Sequence, residues 1–202
     1  MTIKEQLGTM DIYLIDQLMK DRINSSSRVL DAGYGRGRNL EYFVKNGYDI
    51  YGIDHKPEYR PIVLEKINAL DQNFTTDRII TGRVEEMPYE AETFDFVFSI
   101  AVLHFAKSHD HFDTMLNDML RVLKPGGYLM FRMTSWHTFD LVPKNESGII
   151  SIADGERYML DIERLKEMAD ENQLSFADPI KTTNVDGHRT MTTVVLRKGV
   201  KE

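Results

Sequence analysis

Runs of strand-forming residues separated by stretches of helical period decide what this chain can fold into. Residues 28–31, 48–54, 78–81, 94–100 and 128–133 are short and rich in Val, Ile, Phe and Tyr. Between them Leu40, Phe43 and Val44, then Val63, Leu64, Ile67 and Leu70, then Phe112, Met115, Leu116, Met119, Leu120 and Leu123 recur at the spacing of one helix face. A strand, a helix and a strand in succession form a crossover that leaves both strands parallel, so the alternation predicts a parallel sheet covered by helices. One connection departs from the rhythm: residues 87–93 are polar and contain Pro88, which predicts a turn.

The punctuation fits this reading. Ile3, Leu7, Met10, Leu14 and Leu18 predict one amphipathic N-terminal helix over residues 3–22, within an N-terminal segment 1–27 that closes on Asn24-Ser25-Ser26-Ser27. Gly47 suits a helix end, Pro57 and Pro61 suit the opening turn of the next helix, and Pro125-Gly126-Gly127 stops the helix before the fifth strand. Residues 134–158 show no period and mix Trp136, Phe139 and Pro143 with Lys144, Asn145, Ser147 and Gly148, the pattern of a surface lid. Ile162, Leu165 and Met168 predict a last helix, and residues 174–182 and 190–197 predict two strands joined through the Asp186-Gly187 turn. Without a repeat, a low-complexity tract or a linker, residues 1–202 read as a single domain.

Composition narrows the class. A chain of 202 residues with 42% hydrophobic residues can sandwich a sheet between two helical layers. Its 25 basic and 32 acidic residues give a net charge of -7, so the basic footprint of a nucleic-acid binder is missing. Cysteine is absent, which removes disulfides, thiolate metal sites and a cysteine nucleophile and is compatible with the cytosol. Residues 1–10 lack the apolar core of a secretory signal, and the most apolar run, 94–106, holds Asp95, Ser99 and His104 and is too short to cross a bilayer as a helix. The expectation is a cytoplasmic protein with neither a nucleic-acid nor a membrane partner.

Chemistry concentrates in Asp31-Ala32-Gly33-Tyr34-Gly35-Arg36-Gly37, between the first strand and the second helix. Glycines there allow a tight turn and close approach of a ligand to the backbone. Asp54 ends the next strand, 21 positions after Gly33, where a carboxylate can accept hydrogen bonds from a ribose diol. Taken alone, the loop could be an ordinary turn and Asp54 a helix cap before Pro57. A nicotinamide-dinucleotide fingerprint would need glycine at position 38, where Arg38 stands.

These residues resemble the seven-stranded, Rossmann-like class I S-adenosylmethionine-dependent methyltransferases, specifically the small-molecule branch, over residues 29–133. Further matches are Ile53-Asp54, Gly82-Arg83-Val84-Glu85-Glu86-Met87-Pro88-Tyr89, Phe94-Asp95, Ala101-Val102-Leu103-His104 and Arg121-Val122-Leu123-Lys124-Pro125-Gly126-Gly127. The resemblance implies a three-layer α/β sandwich on a mostly parallel seven-stranded sheet with a C-terminal antiparallel hairpin. It implies S-adenosylmethionine as cofactor, S-adenosylhomocysteine as its product and a small-molecule methyl acceptor. By the same resemblance Gly33, Tyr34, Gly35 and Gly37 line the methionine part, Asp31 lies beneath it, Asp54 holds the ribose and His55 flanks the adenine. Arg83, Val84 and Glu85 fall at the adenine, and Ser99 falls near the methionine amine. Many relatives carry Asp where Arg83 stands and Asp or Asn near Ser99. Arg38-Asn39 is similar to the Gly-Arg-Asn of a tellurite-resistance-like branch, which directs Arg38 at the cofactor carboxylate.

His104 ends a buried strand and is the candidate general base, with packing as its alternative role. His109 and His111 lie beside Ser108 and Asp110 and read as a capped helix start rather than a metal site, so no metal is expected. Trp136, His137, Phe139 and Tyr158 either line an acceptor pocket or pack. No Asn/Asp-Pro-Pro-Tyr motif follows the fourth strand, which disfavours methylation of nucleic-acid bases. Two rival readings remain, a cofactor-binding module without turnover and an NAD-dependent oxidoreductase; oligomeric state is not legible.

Overall fold

A computed structural model describes residues 2–136, 144–152, 155–185 and 189–200. Its main sheet is built on β1 (Arg28–Ala32), β2 (Asp49–Asp54), β3 (Ile79–Thr81), β4 (Phe94–Ile100) and β5 (Leu123–Met133). The first five strands pair in parallel in the order β3-β2-β1-β4-β5. The sheet then continues through β10 (Arg189–Lys198), which runs antiparallel to β5 and carries β8 (Leu174–Phe176) and β9 (Lys181–Val185) along its far side. β8 meets Leu196 to Lys198 and β9 meets Arg189 to Thr193, so the two share one lateral position and eight strands fill seven places.

Successive strand residues face opposite sides, which gives the sheet two cores. Val29, Ile50, Phe96, Phe98, Met130 and Val195 pack against α2 (Ile12–Met19), α3 (Leu40–Lys45) and α4 (Tyr59–Leu70). Their neighbours Leu30, Ile53, Val97, Leu129, Phe131 and Val194 pack against α5 (His109–Val122) and α6 (Ile162–Glu171). Continuous apolar runs in β1 and β4 follow from burial on both sides.

The N-terminal helix expected over 3–22 is two helices, α1 (Ile3–Leu7) and α2. Gly8 ends the first at φ +58, and Asp11 caps the second by accepting the Tyr13 N–H at 3.0 Å. The apolar period hides the break because Met10 and Leu14, one on each side of the cap, are buried in the same core. The fifth strand starts at Leu123 rather than 128: its pairing with β4 shifts register between Phe94 and Phe96, and Pro125 and Gly126, at φ +78, sit in this irregular stretch. The run expected over 174–182 is split into β8 and β9, since Pro179 has no N–H for a ladder and Asp178 turns to the N-terminal helices. Within 134–158, β6 (Ile149–Ile152) and β7 (Gly155–Tyr158) form an antiparallel pair where no regular structure was expected. Tyr158, stacked on Phe112 at 5.0 Å, anchors it. His137, Phe139, Pro143 and the Asp186-Gly187 turn lie outside the described residues.

Asp178 ties the two ends of the chain together. Its buried carboxylate accepts from Arg22 at 2.8 and 3.1 Å, Lys20 at 3.0 Å and Gln17 at 3.1 Å. Burial pushes its pKa up, but the hydrogen bonds from Arg22, Lys20 and Gln17 outweigh that and hold it well below the usual carboxylate range. A depressed folded-state pKa contributes stability above the unfolded value, and this is lost as pH falls below about 4. Asp178→Ala is expected to strand the Arg22 charge and destabilise by about 2 kcal/mol at neutral pH, less at acid pH, read from urea unfolding at both.

Candidate functional site

The strand order reverses between β1 and β4, and there the helices leave on opposite faces and open a crevice at the carboxyl ends of the strands. The chain leaving β1 is bent over this crevice by bonds to β2. Gly33 and Tyr34 donate their N–H groups to the Ile53 carbonyl at 2.8 and 3.3 Å, and Gly35 donates to Asp54 Oδ2 at 2.8 Å. The other Asp54 oxygen accepts the Lys56 N–H at 2.9 Å, so one buried carboxylate fixes both loops. Gly33 sits at φ +100, and a Cβ there would meet Val102 Cγ2 at 2.2 Å. Val102 follows Ala101, a non-glycine residue held at φ +61 by donating to the Arg132 carbonyl at 2.8 Å. Left-handed backbone at a residue with a Cβ is costly and clusters at binding sites.

The crevice is a cleft of about 640 Å³, in the size range of small-molecule sites. Nine of the residues expected at the cofactor line it. Gly33, Tyr34, Gly35 and Arg38 come from the loop after β1, Asp54 and His55 from the end of β2, and Arg83, Val84 and Glu85 from beyond β3. The other three, and His104, the candidate base, do not reach its surface. Gly37 packs on Val63, Ser99 is fully buried and donates to the Ala32 carbonyl at 2.9 Å, and Asp31 and His104 lie behind the lining.

Asp31 is nonetheless unusual. It is buried, neither carboxyl oxygen has a hydrogen-bond partner, and burial together with the charge of Asp54 drives its pKa well above the usual value. Buried polar groups without partners are rare and mark places where something is supplied from elsewhere. Glu85 is the opposite case. Burial pushes its pKa up, but its own backbone N–H, the Arg83 guanidinium and His111 at 3.2 Å more than compensate, and the net direction is down. Because His111 Nδ1 accepts the Lys107 N–H at 3.1 Å, the proton of the neutral ring lies on Nε2, facing Glu85.

Lys56 and Tyr59 after β2, and Phe105, Lys107, His111 and Met115 after β4, also line the cleft and were not assigned to it from sequence. The rule that ligands meet the carboxyl ends of parallel strands points to both segments. Asn39 lines it too, with its side chain taken by the Asp11 N–H at 3.0 Å. His109 turns away to the Tyr158 hydroxyl at 2.7 Å and the Glu146 carbonyl at 3.1 Å. Trp136 and Tyr158 are buried, and Tyr158 packs on Phe112.

The strand order, the antiparallel end of the sheet and a cleft at the switch point define the class I methyltransferase fold. Residues 30–131 match the methyltransferase-domain family, and the chain belongs to that family. It is 29% identical over 124 residues to phthiotriol/phenolphthiotriol dimycocerosates methyltransferase 1 of Mycobacterium ulcerans, covering 60% of this chain and 40% of that protein. The chain spans less than half the length of the curated relatives it matches. A SAM-dependent methyltransferase from Methanosarcina mazei superimposes with a TM-score of 0.73 at 16% identity, covering 91% of this chain and 98% of that one. Magnesium protoporphyrin IX methyltransferase from Synechocystis, with bound SAH, gives 0.70 at 14% identity over 93% and 81%. At these identities the two structures speak for the fold.

Two measurements probe the site. Gly33→Ala is expected to cost roughly 2–4 kcal/mol through φ strain and the clash with Val102, and the double variant with Val102→Ala to recover only the clash, read from denaturant midpoints. His104, edge-on to Phe105 at 4.5 Å between ring centres, has its pKa pushed down to about 4 by burial and then by the positive charge of Arg157. A folded-state pKa below the unfolded 6.5 means that stability is full above 6.5 and is lost as pH falls towards 4. His104→Gln is expected to remove an acid-side loss on the order of 2–3 kcal/mol.

Proposed function

We propose that the protein is an S-adenosylmethionine-dependent methyltransferase that transfers a methyl group to a small-molecule acceptor, with S-adenosylhomocysteine as product. The observation that carries the reading is the pair of carboxylates at the switch point: Asp54, buried and gripping the Gly35 N–H at the cleft surface, and Asp31, buried without a partner behind it. A ligand with a ribose diol answers Asp54 at the cleft surface, and an ammonium group above the loop after β1 places a positive charge on the side of the buried Asp31. Each carboxylate oxygen has two lone pairs, so Asp54 can keep its two backbone bonds and still accept hydroxyls. The absence of a Cβ at Gly35, where nothing lies within 4 Å, leaves backbone open to the ligand. Arg38, half-exposed in the cleft wall and only 3.5 Å from Asp11, is assigned to the cofactor carboxylate. Arg83, Val84, Glu85 and His55 are assigned to the adenine side, and Gly37 and Ser99 to holding the loop and the end of β4 in place.

Bound there, S-adenosylmethionine supplies an electrophilic methyl group on a sulfonium. The protein's part is to hold donor and acceptor in line and keep water out, which can supply much of the acceleration without a universal catalytic residue. Ile100, Val102, Phe105 and Met115 give the cleft apolar walls for this. His104, the candidate base from sequence, is packed under Phe105 and neutral down to about 4, so it is a weak base, and we assign it a packing role.

A module that binds without turnover would share every binding feature, and an NAD-dependent oxidoreductase would need a different grip on its cofactor. Calorimetry with S-adenosylmethionine, S-adenosylhomocysteine and NAD is expected to show the first two binding and NAD not. Asp54→Ala and Arg38→Gln should each weaken the adenosyl ligands by roughly 10- to 100-fold. Tight NAD binding, or adenosyl binding untouched by Asp54→Ala, contradicts the assignment. Labelled methyl transfer to any acceptor separates the enzyme from the binding module. Among the described residues no helix is long and apolar enough to cross a membrane. The absence of cysteine is compatible with a cytoplasmic location, and the net charge of -7 weighs against a nucleic-acid partner.

A further inference from the structure

We propose that the methyl acceptor is a carboxylic acid with an apolar body, bound as its anion against Lys107 and Arg157, and that its carboxylate oxygen takes the methyl group. This rests on the methyl-transfer reading and narrows its substrate.

The charge balance of the cleft runs against that of the chain. Overall there are 25 basic and 32 acidic residues, yet Arg36, Arg38, Lys56, Arg83 and Lys107 face the cleft with only Asp54 and Glu85 against them. Both carboxylates are committed, Asp54 to backbone N–H groups and Glu85 to Arg83 and His111. Among the described residues no acidic side chain pairs with Arg36 or Lys107, and the Lys56 ammonium turns to the Tyr59 hydroxyl at 3.4 Å. The adenosyl cofactor does not correct this. It carries one carboxylate, an ammonium and a sulfonium, and so adds a positive charge.

Beyond β4, on the side of the cleft away from Asp54, the cations stand without acidic partners among the described residues. Phe105 and Lys107 follow β4 and line the cleft, and the Arg157 guanidinium, just outside that lining, stacks over Phe105 at 4.8 Å and donates to the Glu156 carbonyl at 2.8 Å. Arg157 forms no ion pair among the described residues. An anion with an apolar body matches these cations beside Val102, Phe105 and Met115.

The acceptor atom follows from what the cleft lacks. A hydroxyl or ammonium acceptor must lose a proton to a base. His111 is taken at both nitrogens, His104 is packed under Phe105, and His55 stands 3.7 Å from Asp54 at the ribose end. A carboxylate is already ionised at neutral pH and needs no base. Its oxygen bonds to the methyl carbon as the carbon–sulfur bond breaks with its electron pair left on sulfur. An anion and a sulfonium become a neutral ester and a neutral thioether, and no proton moves. Lys107 and Arg157 meet the charge before reaction more strongly than during it, so they govern binding of the acid and not the chemical step.

The test titrates protein saturated with S-adenosylhomocysteine with octanoate, benzoate and phenylacetate, each against its primary amide, by ligand-observed NMR. Acids are expected to bind about tenfold or more tightly than their amides, more weakly as salt is raised. Lys107→Gln and Arg157→Gln should each weaken the acid by about tenfold and leave the amide where it was. Amides binding as well as acids, no binding by any of the three acids, or acid affinity unmoved by both substitutions overturns the proposal. With an acid that binds, label from S-adenosylmethionine should enter a product that alkali returns to the acid and methanol, and alkali-stable label overturns it too. A protein that fails to bind S-adenosylhomocysteine in calorimetry instead refutes the methyl-transfer reading itself.

Discussion

The carboxylate of Asp54 holds the site open. It lies at the end of β2, buried, and takes the N–H of Gly35 from the loop after β1 and the N–H of Lys56 from its own loop. Without an acceptor there, the loop after β1 would have to find other partners for its N–H groups, and the bend over the crevice would lose its anchor. The close pass of Gly33 against Val102 is the matching constraint from the other strand. Together they fix the walls of the cleft from β1, β2 and β4, three neighbouring strands of one parallel sheet. The functional geometry is thus a by-product of strand order, with glycine at Gly33 making room for the Val102 side chain from the end of β4.

From that frame the two ends of the cleft differ in kind. The end beside Asp54 is made of backbone and committed carboxylates, rigid and polar. The end beside Phe105 has Arg157 over the aromatic ring and Lys107 two residues on, and its histidines are either paired or packed away. A rigid end suits a constant ligand, and an adaptable end suits the partner that varies among proteins sharing a fold.

Much of the fold was legible because burial on both faces of the sheet writes continuous apolar runs, and β4 matches its sequence reading end to end. The misplaced boundaries share a cause. The N-terminal break at Gly8, the irregular start of β5 and the split at Pro179 occur where the apolar pattern continues through a change of backbone direction, and periodicity reports which residues are buried, not how the chain runs between them. The cofactor end was legible for the same reason as the sheet, since its residues lie at strand ends. Arg36, Lys56 and Lys107 were not, because a solvated-looking charge in sequence carries no mark of facing a cleft. Asp31 and His104 show the reverse: Asp31 falls at the end of β1 and His104, expected to end the fourth strand, lies in a 3-10 turn (Leu103–Phe105) past the end of β4 at Ile100, and both side chains are turned behind the lining.

The outer strands of the sheet have a bearing on how copies of this chain meet each other. β3 and β8, at the two flanks, are three residues each, and the neighbouring stretch of β10 is covered by the polar strand β9. A foreign segment seeking to extend the ladder would find the three residues of β3 on one flank and, on the other, the short and separate β8 and β9 with the chain turning off between them. A protein whose middle strands are almost wholly apolar thereby offers little template for fibrillar stacking in its folded state.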